Sequence, residues 1–215
     1  MNIIIENLPF YLQGFGMTLL LLGLTVLFGL PLGILVAAMR ISPIASLRTT
    51  ATIYTEWLRN TPLALVFFFM AFVLPKLGVQ LNYTVAAVIA LTLYTAPFFA
   101  EAIRSGINSV PVGQAEAARS VGLTFTQTVG LVVLPQAVRS VIPPLINVII
   151  ALTKNTSVAT GFFVLTLVSV GQRLANANGN QVIPILLGVA FFYLLITVPL
   201  GQLAERLERR VVVSR

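Results

Sequence analysis

Five long runs of apolar residues organise this chain. The first extends from about Tyr11 to Met39 and meets no charge before Arg40. The second extends from about Tyr54 to Leu74, with Glu56 and Arg59 near its start. The third covers about Thr84 to Ile103, the fourth about Val141 to Val168 with Lys154 inside it, and the fifth about Val182 to Leu203. A bilayer core about 30 Å thick needs roughly 20 apolar helical residues, and each run is of that length. The runs are too long for strands and show no alternation. The pattern predicts an all-α transmembrane protein: one domain over residues 1–215, built as a five-helix bundle.

Composition sharpens this. Of 215 residues, 58% are hydrophobic and only 9% charged, with a mean hydropathy of +0.98. A soluble domain carries about a quarter charged residues. The chain has no Asp, His or Cys. That excludes thiol chemistry, disulfides, His-based acid–base catalysis and the usual zinc sites. The opening MNIIIENLPF has no basic start and leads into an apolar run too long for a signal peptide, so none is expected.

The net charge of +7 acquires meaning from its placement. With the N-terminus outside, the inner segments hold Arg40, Arg48, Arg59, Arg104, Arg119, Arg139, Arg206, Arg209, Arg210 and Arg215, and the outer loops hold Lys76 and Arg173. This bias orients the chain N-terminus out and C-terminus cytoplasmic, and it replaces a nucleic-acid reading of the basic charge. Gly29 and Gly33 in the first span form a small-xxx-small pair, read first as packing within the bundle.

The connection between the third and fourth runs is too long to lack structure. Val110-Pro111-Val112-Gly113 breaks the chain, and Gln114 to Val121 reads as a short helix that Gly122 ends. Thr124 is placed to cap a second helix running to Leu134, before Pro135. The short helix carries Glu116 and Arg119 on one surface. It either rests on lipid headgroups or docks into a soluble partner. Its Ala-rich interior favours the second.

Residues 116–135 read EAARSVGLTFTQTVGLVVLP. Glu116-Ala117-Ala118, Gly122, Val132 and Leu134-Pro135 match the Glu-Ala-Ala, Gly, Ile, Leu-Pro signature of ABC-importer permeases, with Val in place of Ile. The strings around Arg59-Asn60-Thr61-Pro62, residues 104–120, residues 134–147 and Lys154-Asn155-Thr156-Ser157 resemble the polar amino-acid uptake branch, in particular actinobacterial glutamate permeases. The resemblance implies a type I permease in which residues about 110–135 are a cytoplasmic coupling region. Gly113, Gln114, Glu116, Ala117, Ala118, Arg119, Gly122, Leu134 and Pro135 would then contact an ATP-binding subunit dimer. It further implies an extracytoplasmic substrate-binding protein and a second permease subunit, a related chain slightly favoured over an identical copy. The chain holds no G-x-x-x-x-G-K-[ST] string, so no cofactor is expected in it; ATP and Mg would be bound by the partner ATPase, and the chain itself would not be an enzyme.

Polar residues inside the spans are the candidates for a substrate path, because a charge at bilayer centre costs roughly 2.5–3.5 kcal/mol. Lys154 either contacts substrate or bonds to backbone carbonyls or to Glu56 or Glu101. Asn155, Thr156 and Ser157 extend this polar stretch and would break the helix locally. Arg59 either contributes to the path or neutralises Glu56 at i and i+3. Asn60 and Thr61 are the better pathway residues there, with Pro62 loosening the helix. Glu101 and Arg104 read as an anchoring or gating pair, and Tyr54 and Trp57 as interfacial anchors. The resemblance implies that a neutral Asn155, where permeases for basic amino acids often carry Asp, suits a small polar amino acid, glutamate before glutamine. A secondary ion-coupled transporter is the alternative. It lacks an Asp or His relay here and shows no internal repeat. The expected location is the bacterial cell membrane, as a multi-pass protein.

Overall fold

The structure, a computed structural model, describes residues 2–213. Arg215, counted above among the inner basic residues, lies outside them. All regular structure among the described residues is helical. A short α1 (Asn2–Glu6) leads into α2 (Leu8–Arg40), a single long helix that includes Pro31. Then follow α3 (Ala45–Asn60), α4 (Leu63–Phe68), a π turn (Phe69–Val73) and α5 (Leu74–Lys76). Next come α6 (Tyr83–Asn108), α7 (Val112–Ser120) and α8 (Phe125–Gln127). A second π turn (Thr128–Val133) runs into α9 (Leu134–Asn155) and a 3₁₀ turn (Thr156–Phe162). The chain ends with α10 (Leu167–Ala177), a 3₁₀ turn (Gly179–Gln181) and α11 (Val182–Val213).

Among the described residues, four helical stretches are long and apolar enough to cross a membrane: Leu8–Arg40, Tyr83–Asn108, Phe125–Phe162 and Gly179–Arg209. The second expected span differs from a single straight helix. Ala45–Asn60 and Leu63–Lys76 meet at 102°, and only together do they make a fifth span. The cause is Pro62, which offers no N–H and pushes its predecessor out of the helical region. Thr61 accordingly sits at φ −96°, ψ 134° and Pro62 at φ −60°, ψ 133°.

The fourth span also differs. It was expected over about 141–168 with a stop at Pro135; instead the helix is continuous from Phe125 to Phe162, and α10 is separate. Pro135 fails to stop it because the π turn comes first. A proline ring collides with the carbonyl four residues back, and a wider turn relieves that collision. The same Leu-Pro pair follows the other π turn, at Leu74-Pro75.

The bundle closes around α6. Gly33 of α2 lies so near it that a Cβ there would stand 2.6 Å from the Phe99 Cβ and 3.0 Å from the Ala96 carbonyl oxygen. The small-residue pair therefore serves packing inside the subunit. Leu21, Phe67, Leu91 and Leu152 form a central core with almost no exposure. A second core joins Tyr11, Leu167, Ile185 and Val189, where the Tyr11 hydroxyl donates to the Ile185 carbonyl at 3.0 Å. A third gathers Val36, Ala37, Ala51 and Ala100, where α3 crosses α2 and α6.

Candidate functional site

Two interruptions in the membrane helices carry most of the intramembrane polar candidates. At the first, side chains help to end α3. The Asn60 amide donates to the Glu56 carbonyl at 2.8 Å, and the Thr61 hydroxyl donates to the Trp57 carbonyl at 2.7 Å. Hydroxyl and amide groups bonding back in this way compete with the helix ladder. At the second, the Thr156 hydroxyl donates to the Thr153 carbonyl at 2.6 Å and the Ser157 hydroxyl to the Lys154 carbonyl at 2.7 Å. The helix tightens there into its 3₁₀ turn. That turn ends at Phe163, in the left-handed region at φ 64°.

The two breaks face one core. Phe67, on the helix that begins just after the first break, stacks on Phe162 of the second at 5.1 Å between ring centroids. Leu63, two positions past Thr61, shares a buried cluster with Leu152, two positions before Lys154, and with Ala159. The structure thus brings Asn60–Thr61 and Lys154–Ser157 to the flanks of the same cluster. Within the second stretch the residues differ. Lys154 is exposed, Asn155 and Ser157 are half-buried, and Thr156 is fully buried with its hydroxyl already bonded.

Three pairings open in the sequence resolve otherwise. Arg59 does not pair with Glu56: its guanidinium lies 3.7 Å from Glu101 and 5.7 Å over the Phe98 ring. Lys154 pairs with neither Glu56 nor Glu101 among the described residues. Glu101 is instead taken by Arg40, by Arg104 at 2.9 Å and by Arg59. The Tyr54 hydroxyl donates inward to the Leu93 carbonyl at 2.8 Å, whereas Trp57 is 75% exposed. The Arg40–Glu101 contact eluded sequence reasoning because the partners lie in different helices, far apart along the chain.

The short helix α7 forms between Pro111 and Gly122, two residues earlier than expected at its start. Gly122 has φ +91°, a conformation that L side chains adopt at a cost of about 1–2 kcal/mol. Thr124 and Gln127 then close a capping box, with N–H···O distances of 3.3 and 2.9 Å. Gly113, Gln114, Glu116, Ala117 and Arg119 point outward, and Ala118 alone of the candidates on α7 turns inward. Leu134 and Pro135 are exposed at the start of α9. Neither Glu116 nor Arg119 makes an ion pair among the described residues. Val112, Val121 and Phe125 stand 73%, 78% and 75% exposed around α7. Sequence reasoning weighed Gln114–Gly122, which includes Val121, but missed Val112 and Phe125 on either side; the signal was one large apolar residue just after Pro111 and one just after Thr124.

The chain is similar to known transport proteins over nearly its full length. It is 40% identical to the probable glutamine ABC transporter permease protein GlnM of Bacillus subtilis, covering 99% of this chain and 98% of that one. It is 37% identical to the glutamate transport system permease protein GluC of Corynebacterium glutamicum, covering 96% of each. Among solved structures, the crystal structure of an amino acid ABC transporter with histidines superposes with a TM-score of 0.88 at 29% identity, covering 96% of each chain. Residues 29–213 match the family model described as binding-protein-dependent transport system inner membrane component. This is a multi-pass protein of the bacterial plasma membrane with the type I permease fold, and the chain belongs to the family of binding-protein-dependent transport system inner membrane components.

Proposed function

We propose that this subunit forms part of the translocation path of an ATP-driven importer for a polar amino acid, glutamate before glutamine, and transmits work from a separate ATPase. The observation that carries the reading is the outward face of α7. A helix that exposes five polar or small residues, with Glu116 in no ion pair among the described residues, is shaped to sit in a protein groove. Glu116 pairs with a basic group of the ATPase, Ala117 permits close approach, and Gly122 sets the angle at which α7 meets the bundle.

In this arrangement the N-terminus is outside and α7 lies in the cytoplasm, as the basic bias directs. ATP and Mg reside in the partner dimer. A related second permease completes the path, and an extracytoplasmic binding protein delivers the substrate. Lys154, Asn155 and Ser157 on one break and Asn60 and Thr61 on the other supply polar groups beside the shared core. Broken helices of this kind free backbone groups to hold a polar ligand. The glutamine and glutamate permeases among the relatives support that substrate class.

The Glu116→Lys variant tests the coupling role. The subunit is expected to reach the membrane normally but to retain less ATPase on affinity purification, by about tenfold or more for a lost charge-assisted hydrogen bond worth 1.5–3 kcal/mol. Wild-type assembly together with wild-type transport would contradict it.

A further inference from the structure

The Asn60 amide donates twice to Glu56, to its carbonyl at 2.8 Å and to its carboxylate Oε2 at 3.4 Å. Arg59 is the natural rival for that carboxylate. It stands three positions from Glu56, and all three residues are exposed. Glu and Arg at i and i+3 attract one another on a helix. Arg59 nevertheless turns away. Its guanidinium lies 3.7 Å from Glu101 Oε2, on α6, and 5.7 Å over the Phe98 ring. Glu101 is itself held from two sides: Oε1 faces Arg40 at the end of α2, and Oε2 meets Arg104 at 2.9 Å.

We propose that Glu101 is a positioning residue for Asn60: by drawing Arg59 across to α6, it leaves the Glu56 carboxylate free to hold the Asn60 side chain. Its meaning for transport rests on the placing of Asn60 in the substrate path. Magnitudes favour the observed station of Arg59. An i, i+3 pair on an exposed helix favours contact by only about twofold. A cation over an exposed ring face gains about two- to fivefold, and the partly shielded Glu101, 20% exposed, adds to it. Without Glu101, Arg59 falls back on Glu56. The carboxylate is then contested by a guanidinium and an amide, and the charged donor wins. Asn60 loses one of its two bonds at the break. Glu56 also acts on Arg40, but Arg40 is only 15% exposed, so Arg59 is the freer of the two to move.

The test reads Asn60 directly by NMR. The full-length subunit is labelled with nitrogen-15 in asparagine alone and held in lipid nanodiscs. The side-chain amide signal that Asn60→Ser removes belongs to Asn60. In Glu101→Gln this signal is expected to shift towards that of a free amide. Adding Arg59→Gln to Glu101→Gln should bring it back towards the wild-type position, because the rival is gone. An ion pair of merely structural use gives no such return. Phe98→Leu, which leaves Glu101 in place, should shift the signal the same way but less, and it decides alone if Glu101→Gln does not fold. Uptake per assembled complex should fall by up to about fivefold in Glu101→Gln, the ceiling for a partly exposed ion pair, and recover in part in the double variant. An Asn60 signal unmoved in Glu101→Gln and in Phe98→Leu, or a double variant no nearer the wild type than Glu101→Gln, would overturn the proposal. If the signal moves and returns as described while the wild-type complex takes up no amino acid, the importer reading fails and the positioning of Asn60 stands.

Discussion

Single residues set the local geometry on which the account depends. Gly122 turns the chain at φ +91°, so Gly122→Val should cost about 1–2 kcal/mol locally and misdirect α7. The expected outcome is weakened ATPase association with the membrane bundle unchanged, read by affinity purification and circular dichroism. Gly33 is different: it bears on the bundle itself. Any Cβ there overlaps Phe99, so Gly33→Val should destabilise by about 1–3 kcal/mol, seen as a lower thermal midpoint in detergent. Lys154 is exposed and without an ion pair among the described residues, and in the proposed path it meets substrate. Lys154→Gln should lower substrate-stimulated ATP hydrolysis by roughly tenfold, one charge-assisted hydrogen bond of about 1.5 kcal/mol, with assembly intact. Unchanged stimulation would remove Lys154 from the path. At this scale the sequence was legible wherever backbone chemistry is intrinsic. Gly122 and Thr124 do what glycine and threonine do at helix ends. At Glu101 the pair with Arg104 was legible at i and i+3, but Arg40 and Arg59 were not, because they arrive through tertiary folding.

At the scale of elements, prolines explain the departures from simple apolar runs. Pro62 makes an elbow where hydropathy indicated a span, whereas Pro135 interrupts nothing where a stop was expected. The difference is what precedes each: extended Thr61 in one case, a π turn in the other. A period count over apolar residues sees neither, since both breaks are matters of backbone hydrogen bonding rather than hydrophobicity. The end of the fourth span was misplaced for the same reason. The polar stretch at Lys154–Ser157 pointed to a local break, but Leu165 to Val168 is apolar enough to conceal the separation of α10. The two breaks are held together by Phe67, 1% exposed and stacked on Phe162. Phe67→Ala should cost about 3–5 kcal/mol, and differential scanning of the purified subunit would register it. A small loss would mean that the breaks do not depend on one another.

For the whole molecule, the pattern of five apolar runs was enough to give an all-helical bundle, because lipid permits few other solutions. In the proposed arrangement the outward face of α7 lies at the edge of that bundle, where the ATPase would meet it. It concerns a partner, and a lone chain records it only as unmatched groups. The central claim is that this subunit converts ATP hydrolysis elsewhere into passage of a polar amino acid. The most direct measurement is ATP hydrolysis by the complete complex in liposomes, with the binding protein and a panel of amino acids. Stimulation by glutamate or glutamine, lost in the Glu116→Lys variant, is the predicted result. A complex whose hydrolysis ignores every amino acid in the panel, or one that responds equally well with Glu116 reversed, would contradict the account.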